Sequence, residues 1–172
     1  MIKNENEYKV TKKWADKLAR SILTVRQNEE KRQNDPDGWQ LLQDSYHSQL
    51  KTLQDELAEY ETLISHDPNQ PVLLNLDDIN KLSTLLIKAR IAFKLTQKEL
   101  AYLCDRTEDQ IKAYEEENYN NATFLDFLAV IDALGIQLQS GRFCAALDEF
   151  YQERLAVARQ SDSFGDKIPT SS

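Results

Sequence analysis

His47, His66, Cys104 and Cys144 are the side chains with the most scope for covalent or metal chemistry, and their surroundings argue against it. His47 lies beside Ser48 on a polar helical face and reads as a solvated residue. His66 stands just before a Pro-containing linker and is expected to be exposed. Cys104 follows Leu103 at a helix end and suits core or turn packing, while Cys144 has no histidine near it in sequence. Two cysteines cannot build a disulfide framework or a four-thiolate metal site. No Ser/His/Asp set, Gly-rich phosphate loop or carboxylate cluster at metal spacing is present. The expectation is a chain that is not an enzyme and needs no metal or cofactor. The remaining chemistry is non-covalent. It is concentrated in residues 89–121, where five Lys/Arg (Arg90, Lys94, Lys98, Arg106, Lys112) meet seven Asp/Glu for a net charge of −2.

Short helices must position those charges. Thr96-Gln97-Lys98-Glu99 is a capping box, in which the Thr hydroxyl accepts one free backbone N–H and the Glu carboxylate reaches back to another. Thr107-Glu108-Asp109-Gln110 repeats it eleven residues later. Two helices with a tight turn at Cys104-Asp105-Arg106 follow. Leu100, Leu103, Ile111 and Tyr114 supply core, and Ala101 sits where a close crossing needs a small side chain. Asp77 is expected to cap a preceding helix with Ile79, Leu82, Leu85, Leu86, Ala89 and Phe93 on its apolar side. A further helix is expected over Asn121 to Leu134, ended by Gly135 in the left-handed conformation. Ile136 to Gln139 alternates and could form a brief strand.

The first third of the chain has a different pattern. Trp14, Leu18, Ile22 and Val25 recur at helical steps, which predicts a helix over about Val10 to Asn34 with Thr11 as N-cap. Asp35 and Pro36 suit the N-cap and first position of a second helix to about Ser65. From Tyr46 that helix carries a heptad seam through Leu50, Leu53, Leu57, Tyr60 and Ile64. Residues 1–32 hold nine Lys/Arg against five Asp/Glu (+4), and residues 33–66 one Lys against seven acids (−6). The short connection and the opposite charges predict an antiparallel hairpin, with Trp14, Leu18, Ile22 and Val25 buried against Leu50, Leu53, Leu57 and Tyr60. The division expected is a helical hairpin over 1–66, a linker over 67–76, a helical domain over 77–141, a last helix over 142–160 and a flexible tail over 161–172. The fold class is all-α.

The two boxed helices have the pattern of a helix-turn-helix, whose second helix is offered to the major groove. Arg90-Ile91, Leu95-Thr96-Gln97-Lys98-Glu99-Leu100-Ala101 and Gln110-Ile111-Lys112-Ala113-Tyr114-Glu115 resemble the XRE-type (Cro/repressor-like) helix-turn-helix family over about residues 78–138. A helical hairpin ahead of such a domain is similar to bacterial HigA-type antitoxins. The resemblance implies a structural salt bridge between Arg90 and Glu115. It implies DNA contacts at Gln97 (a phosphate), Lys98, Arg106, Thr107, Glu108, Asp109 and Lys112, with Glu108, Asp109 and Ala113 facing base edges. The sequence departs from the family in two ways. Lys94 replaces the usual glycine before Leu95, and the base-facing positions are acidic or apolar where Gln, Lys or Arg is common.

Composition narrows the field further. The 172 residues carry a net charge of −8, with a pI near 4.8, against a strong nonspecific polyanion binder. No run reaches the eighteen or so apolar residues that cross a bilayer. The polar start, Met1-Ile2-Lys3-Asn4-Glu5, is not a secretory signal. A cytoplasmic protein without a membrane partner is expected. Two functions compete. One is a DNA-binding transcriptional regulator that binds a palindromic operator as a homodimer, with the antitoxin of a toxin–antitoxin pair as its narrower form. The other is a protein-interaction module, toxin-neutralising or otherwise, that keeps the helix-turn-helix scaffold with DNA binding weakened or lost.

Overall fold

The computed structural model describes residues 1–141 and 145–165, with side chains as far as Arg159. All regular structure among them is helical: α1 Glu5–Arg26, α2 Glu29–Asn34, α3 Pro36–Ser65, a 3-10 turn Ile79–Lys81, α4 Leu82–Ala92, α5 Gln97–Leu103, α6 Glu108–Glu116, α7 Phe124–Ala133 and α8 Glu149–Gly165.

Local capping chemistry sets most of these boundaries. Asn4, not Thr11, begins α1 by accepting the Glu7 N–H at 2.9 Å. The expected single helix to Asn34 is broken at Gln27–Asn28, because the Asn28 side chain accepts the Lys31 N–H and starts α2 afresh. Asp35 caps α3 with Pro36 in its first turn, as the sequence predicts. Asp78 rather than Asp77 caps the next segment. That segment opens as a 3-10 turn, so the α-helix proper starts only at Leu82, and Ile79 is exposed. α7 begins at Phe124, not Asn121, because Thr123 and Asp126 form a third capping box. Gly135 ends this region at φ 61°, a conformation open to glycine without steric cost. Residues 136–139 form no strand.

The first 137 residues form one compact unit. Its hairpin runs antiparallel. Tyr8 near the start of α1 stacks on Tyr60 near the end of α3, with ring centroids 5.3 Å apart, and its hydroxyl donates to Glu61 at 2.6 Å. At the opposite end the Trp39 indole N–H donates to the Val25 carbonyl at 2.9 Å. The base of the hairpin shares one core with the later helices. Ile2, Tyr60 and Leu63 join Leu86, Ile87, Leu100, Ile111 and Val130. Farther out the hairpin buries little beyond Ala15, Ile22 and Gln43.

Two expectations for the hairpin need correction. Trp14 is 56% exposed, and its neighbour Ala15 is buried instead. Two helices bury only a narrow strip, and Trp14 falls at its edge, where Lys17 stands over the indole ring at 4.9 Å. Leu18, Val25, Leu50, Leu53 and Leu57 are only half-buried. The opposite charges of the two segments also do not pair as expected. The one ion pair joining residues 1–32 to residues 33–66 is from the Met1 ammonium to Glu56, at 2.6 Å. Lys12 approaches Glu61 only through the Tyr8 hydroxyl, which lies 3.4 Å from its Nζ and donates to Glu61 at 2.6 Å.

The second unit begins at Leu138. Its helix α8 starts at Glu149, later than the expected Arg142, with the Asp148 side chain accepting the Tyr151 N–H at 3.1 Å. It continues to Gly165, into the segment expected to be a flexible tail. Leu147, Phe150, Tyr151 and Val157 are exposed within this unit. Phe143 and Cys144 lie outside the described residues. No helix among the described residues is long and apolar enough to cross a membrane.

Candidate nucleic-acid interface

α5 and α6 begin with complete capping boxes. Thr96 Oγ1 accepts the Glu99 N–H at 3.1 Å while Glu99 Oε2 accepts the Thr96 N–H at 2.7 Å. Thr107 and Gln110 make the same exchange at 3.2 and 2.9 Å. Between the helices Asp105 takes φ 53°, and the Arg106 N–H closes the turn on the Ala101 carbonyl at 2.8 Å. Lys94 takes φ 56°, a left-handed conformation natural to glycine, at a cost of about 1–2 kcal/mol.

A buried polar hub fixes these helices on α4. Arg90 Nε and Nη2 donate to the two Glu115 oxygens at 2.5 and 2.7 Å, with both side chains almost fully buried. The same guanidinium donates through Nη1 to the Leu95 carbonyl at 3.0 Å and through Nη2 to the Lys3 carbonyl at 2.9 Å. Gln97 Nε2 donates to Glu115 Oε2 at 2.8 Å. Lys3 Nζ reaches the carbonyls of Glu115 and Glu116 at 2.6 and 3.1 Å, a cation on the negative end of α6. One carboxylate therefore holds α4, α5 and α6 together, and the chain's first residues clamp the same point.

The groups expected to meet DNA have other partners in the free chain. Gln97 is half-buried on Glu115. Arg106 Nε donates to Asp126 at 2.6 Å, and its Nη1 donates to the Asp105 carbonyl at 2.8 Å. Asp126 also accepts the Thr123 hydroxyl at 2.6 Å. The Thr123 hydroxyl, followed by Arg106, holds the Asp126 carboxyl at about 2, below its ordinary 3.8. Lys112 pairs with Glu108 one turn away at 2.7 Å, and that bond lowers the Glu108 pKa and raises that of Lys112. Thr107 is occupied as a cap, Asp109 is exposed, and Ala113 is half-buried. Lys98 is exposed, makes no ion pair with any described residue, and acts on Glu108 only as a more distant charge. The face of α6 thus presents Asp109, Glu116 and Glu117 with little free positive charge.

Two contributors were missed in the sequence. Asp126 was legible, because Thr123-Phe124-Leu125-Asp126 is itself a capping pattern. Lys3 left no signal, since its partners lie more than a hundred residues away. Cys104 is buried with its Sγ 3.8 Å from the Ala129 carbonyl, and burial pushes its thiol pKa up. No group of three or more His, Cys, Asp or Glu that could hold a metal occurs among the described residues. Set against protein-family models, curated proteins and solved structures, the chain finds no match.

Proposed function

We propose that this chain is a DNA-binding transcriptional regulator. In this reading it offers the N-terminal turn of α6 to the major groove and acts as a homodimer on a palindromic operator. The supporting observation is the Arg90–Glu115–Gln97 hub. It clamps two short, fully capped helices at one point, under the Leu95-to-Ala101 string that resembles repressor-like domains. A rigid scaffold of this kind keeps a reading helix in register without ordering it on contact. A homodimer follows because one helix-turn-helix reads only a half-site. The net charge of −8 also suits a regulator that neutralises a small basic toxin, the arrangement implied by the antitoxin resemblance.

Affinity through α6 alone is expected to be weak. Glu108 and Asp109 favour the helix itself, lying at the positive end of its dipole, and need no ligand there. In a groove they must accept from cytosine amino groups or suffer phosphate repulsion. A second reading, a protein-interaction module, is favoured by the exposed Tyr102, Phe124 and Leu125, each more than 70% accessible. A footprint on the protein's own promoter at stated salt tests the first reading. Protection of two half-sites about one helical turn apart is expected. No protection and no mobility shift at 50 mM salt would reject the regulator in favour of the interaction module.

A further inference from the structure

A groove of about 560 Å³ runs where α1 meets α3, lined by Lys13, Lys17, Arg20 and Val25 of α1 and Tyr46 of α3, with Asp16 as the only acid among its lining residues. Lys13 and Arg20 form no ion pair with any described residue. Lys17 is held over the exposed Trp14 ring. By contrast Lys9, one turn earlier, is paired with Glu5 at 2.6 Å. In a chain with eight excess negative charges, three cations against the single Asp16 carboxylate in one groove are a local reversal of sign.

We propose that this groove binds the phosphodiester backbone of duplex DNA, so that α1, rather than α6, supplies the chain's phosphate contacts. The proposal rests on the regulator reading and deepens it. Charge favours this ligand: three cations against one carboxylate line the groove, and every phosphodiester of the duplex carries one negative charge. The division of labour also accounts for an acidic α6. Phosphate contacts give affinity without sequence information, and base contacts give the reverse.

The test uses the full chain and a 30-base-pair duplex, followed by fluorescence anisotropy over a salt series. The variant is Lys13→Gln/Lys17→Gln/Arg20→Gln. All three residues are exposed, and an unchanged circular dichroism melt verifies the fold. Each phosphate contact contributes about 0.9 to the slope of log K against log salt. The triple variant is therefore expected to lower the slope by about two to three units and low-salt affinity by at least tenfold, while Lys51→Gln changes neither. An unchanged slope and affinity in the triple variant, with wild type bound, overturns the groove and leaves the regulator reading standing. Generic duplex binding that the triple variant loses, with no operator protected, supports the groove and rejects the regulator. Failure of wild type to bind any duplex at 20 mM salt rejects both. Binding of poly-L-glutamate but not of duplex would assign the groove to an acidic protein segment and overturn the proposal.

Discussion

On α6 and the turn before it, Arg106 and Lys112 are each ion-paired with a carboxylate of the same chain, whereas on α1 Lys13 and Arg20 share their groove with Asp16 but form no ion pair with any described residue. The residue types are alike and the difference is geometric. α6 is short and lies among other helices, so its cations meet Asp126 across a turn and Glu108 one turn back. α1 is long and contacts other elements mainly along one strip. Lys13, Lys17 and Arg20 therefore gather in one groove with Asp16 as its single acid. A count of charges already ranks the first segment as the more positive, +4 over residues 1–32 against −2 over residues 89–121, and the ion pairs of Arg106 and Lys112 widen that gap.

The largest effect bearing on this contrast is expected at Glu115, the hub that keeps α6 in place. Glu115→Ala should destabilise the fold by about 3–5 kcal/mol, since it strands a buried guanidinium. Urea unfolding measures this, and an unshifted midpoint would mean that the hub does not hold the helices. Replacing Arg90 and Glu115 together by apolar residues of similar volume should cost far less.

The Thr123 and Arg106 contacts of Asp126 should appear in acid. Asp126 titrates near 3.8 when free and near 2 in the folded chain. Its stabilisation is therefore complete above about pH 4 and is lost as pH falls towards 2. Melting temperature should drop more steeply over that window in wild type than in Asp126→Asn. Parallel curves would show that these contacts add nothing.

Freeing Lys112 sharpens the contrast from the other side. Glu108→Gln/Asp109→Gln removes two carboxylates from the α6 face and leaves Lys112 unpaired. Affinity for generic duplex should rise, with a salt slope about one unit steeper. If the same change abolishes binding to a defined operator, the acids are reading bases. The smallest effect is expected for Lys112→Ala in the wild-type background. A lysine already paired at 2.7 Å releases less on binding, so the slope should change by less than one full unit.

Much of the local structure was legible in the sequence. The boxes at Thr96–Glu99 and Thr107–Gln110, the Asp35-Pro36 start and the Gly135 stop each involve groups within a few residues, so residue types alone decide them. The errors arose where two local signals competed. Asn4 and Asn28 overrode the start and end expected for the first helix, and Thr123 overrode Asn121. The candidate site was less legible. Residue types named the polar groups of the α6 face, but not their partners, and nothing marked the α1 groove beyond an excess of lysine.

The sequence alone determined an all-helical chain with two short capped helices around Cys104-Asp105-Arg106, because capping and helical periodicity act over one to two turns. Only the tertiary structure decided that Trp14 lies at the edge of the hairpin seam, that Lys3 clamps α6, that Arg106 belongs to Asp126, and that the charges of the first two segments do not neutralise each other. Each of these depends on how a helix is rotated against its neighbour. A rotation of one residue, about 100°, carries a side chain from an ion pair into solvent.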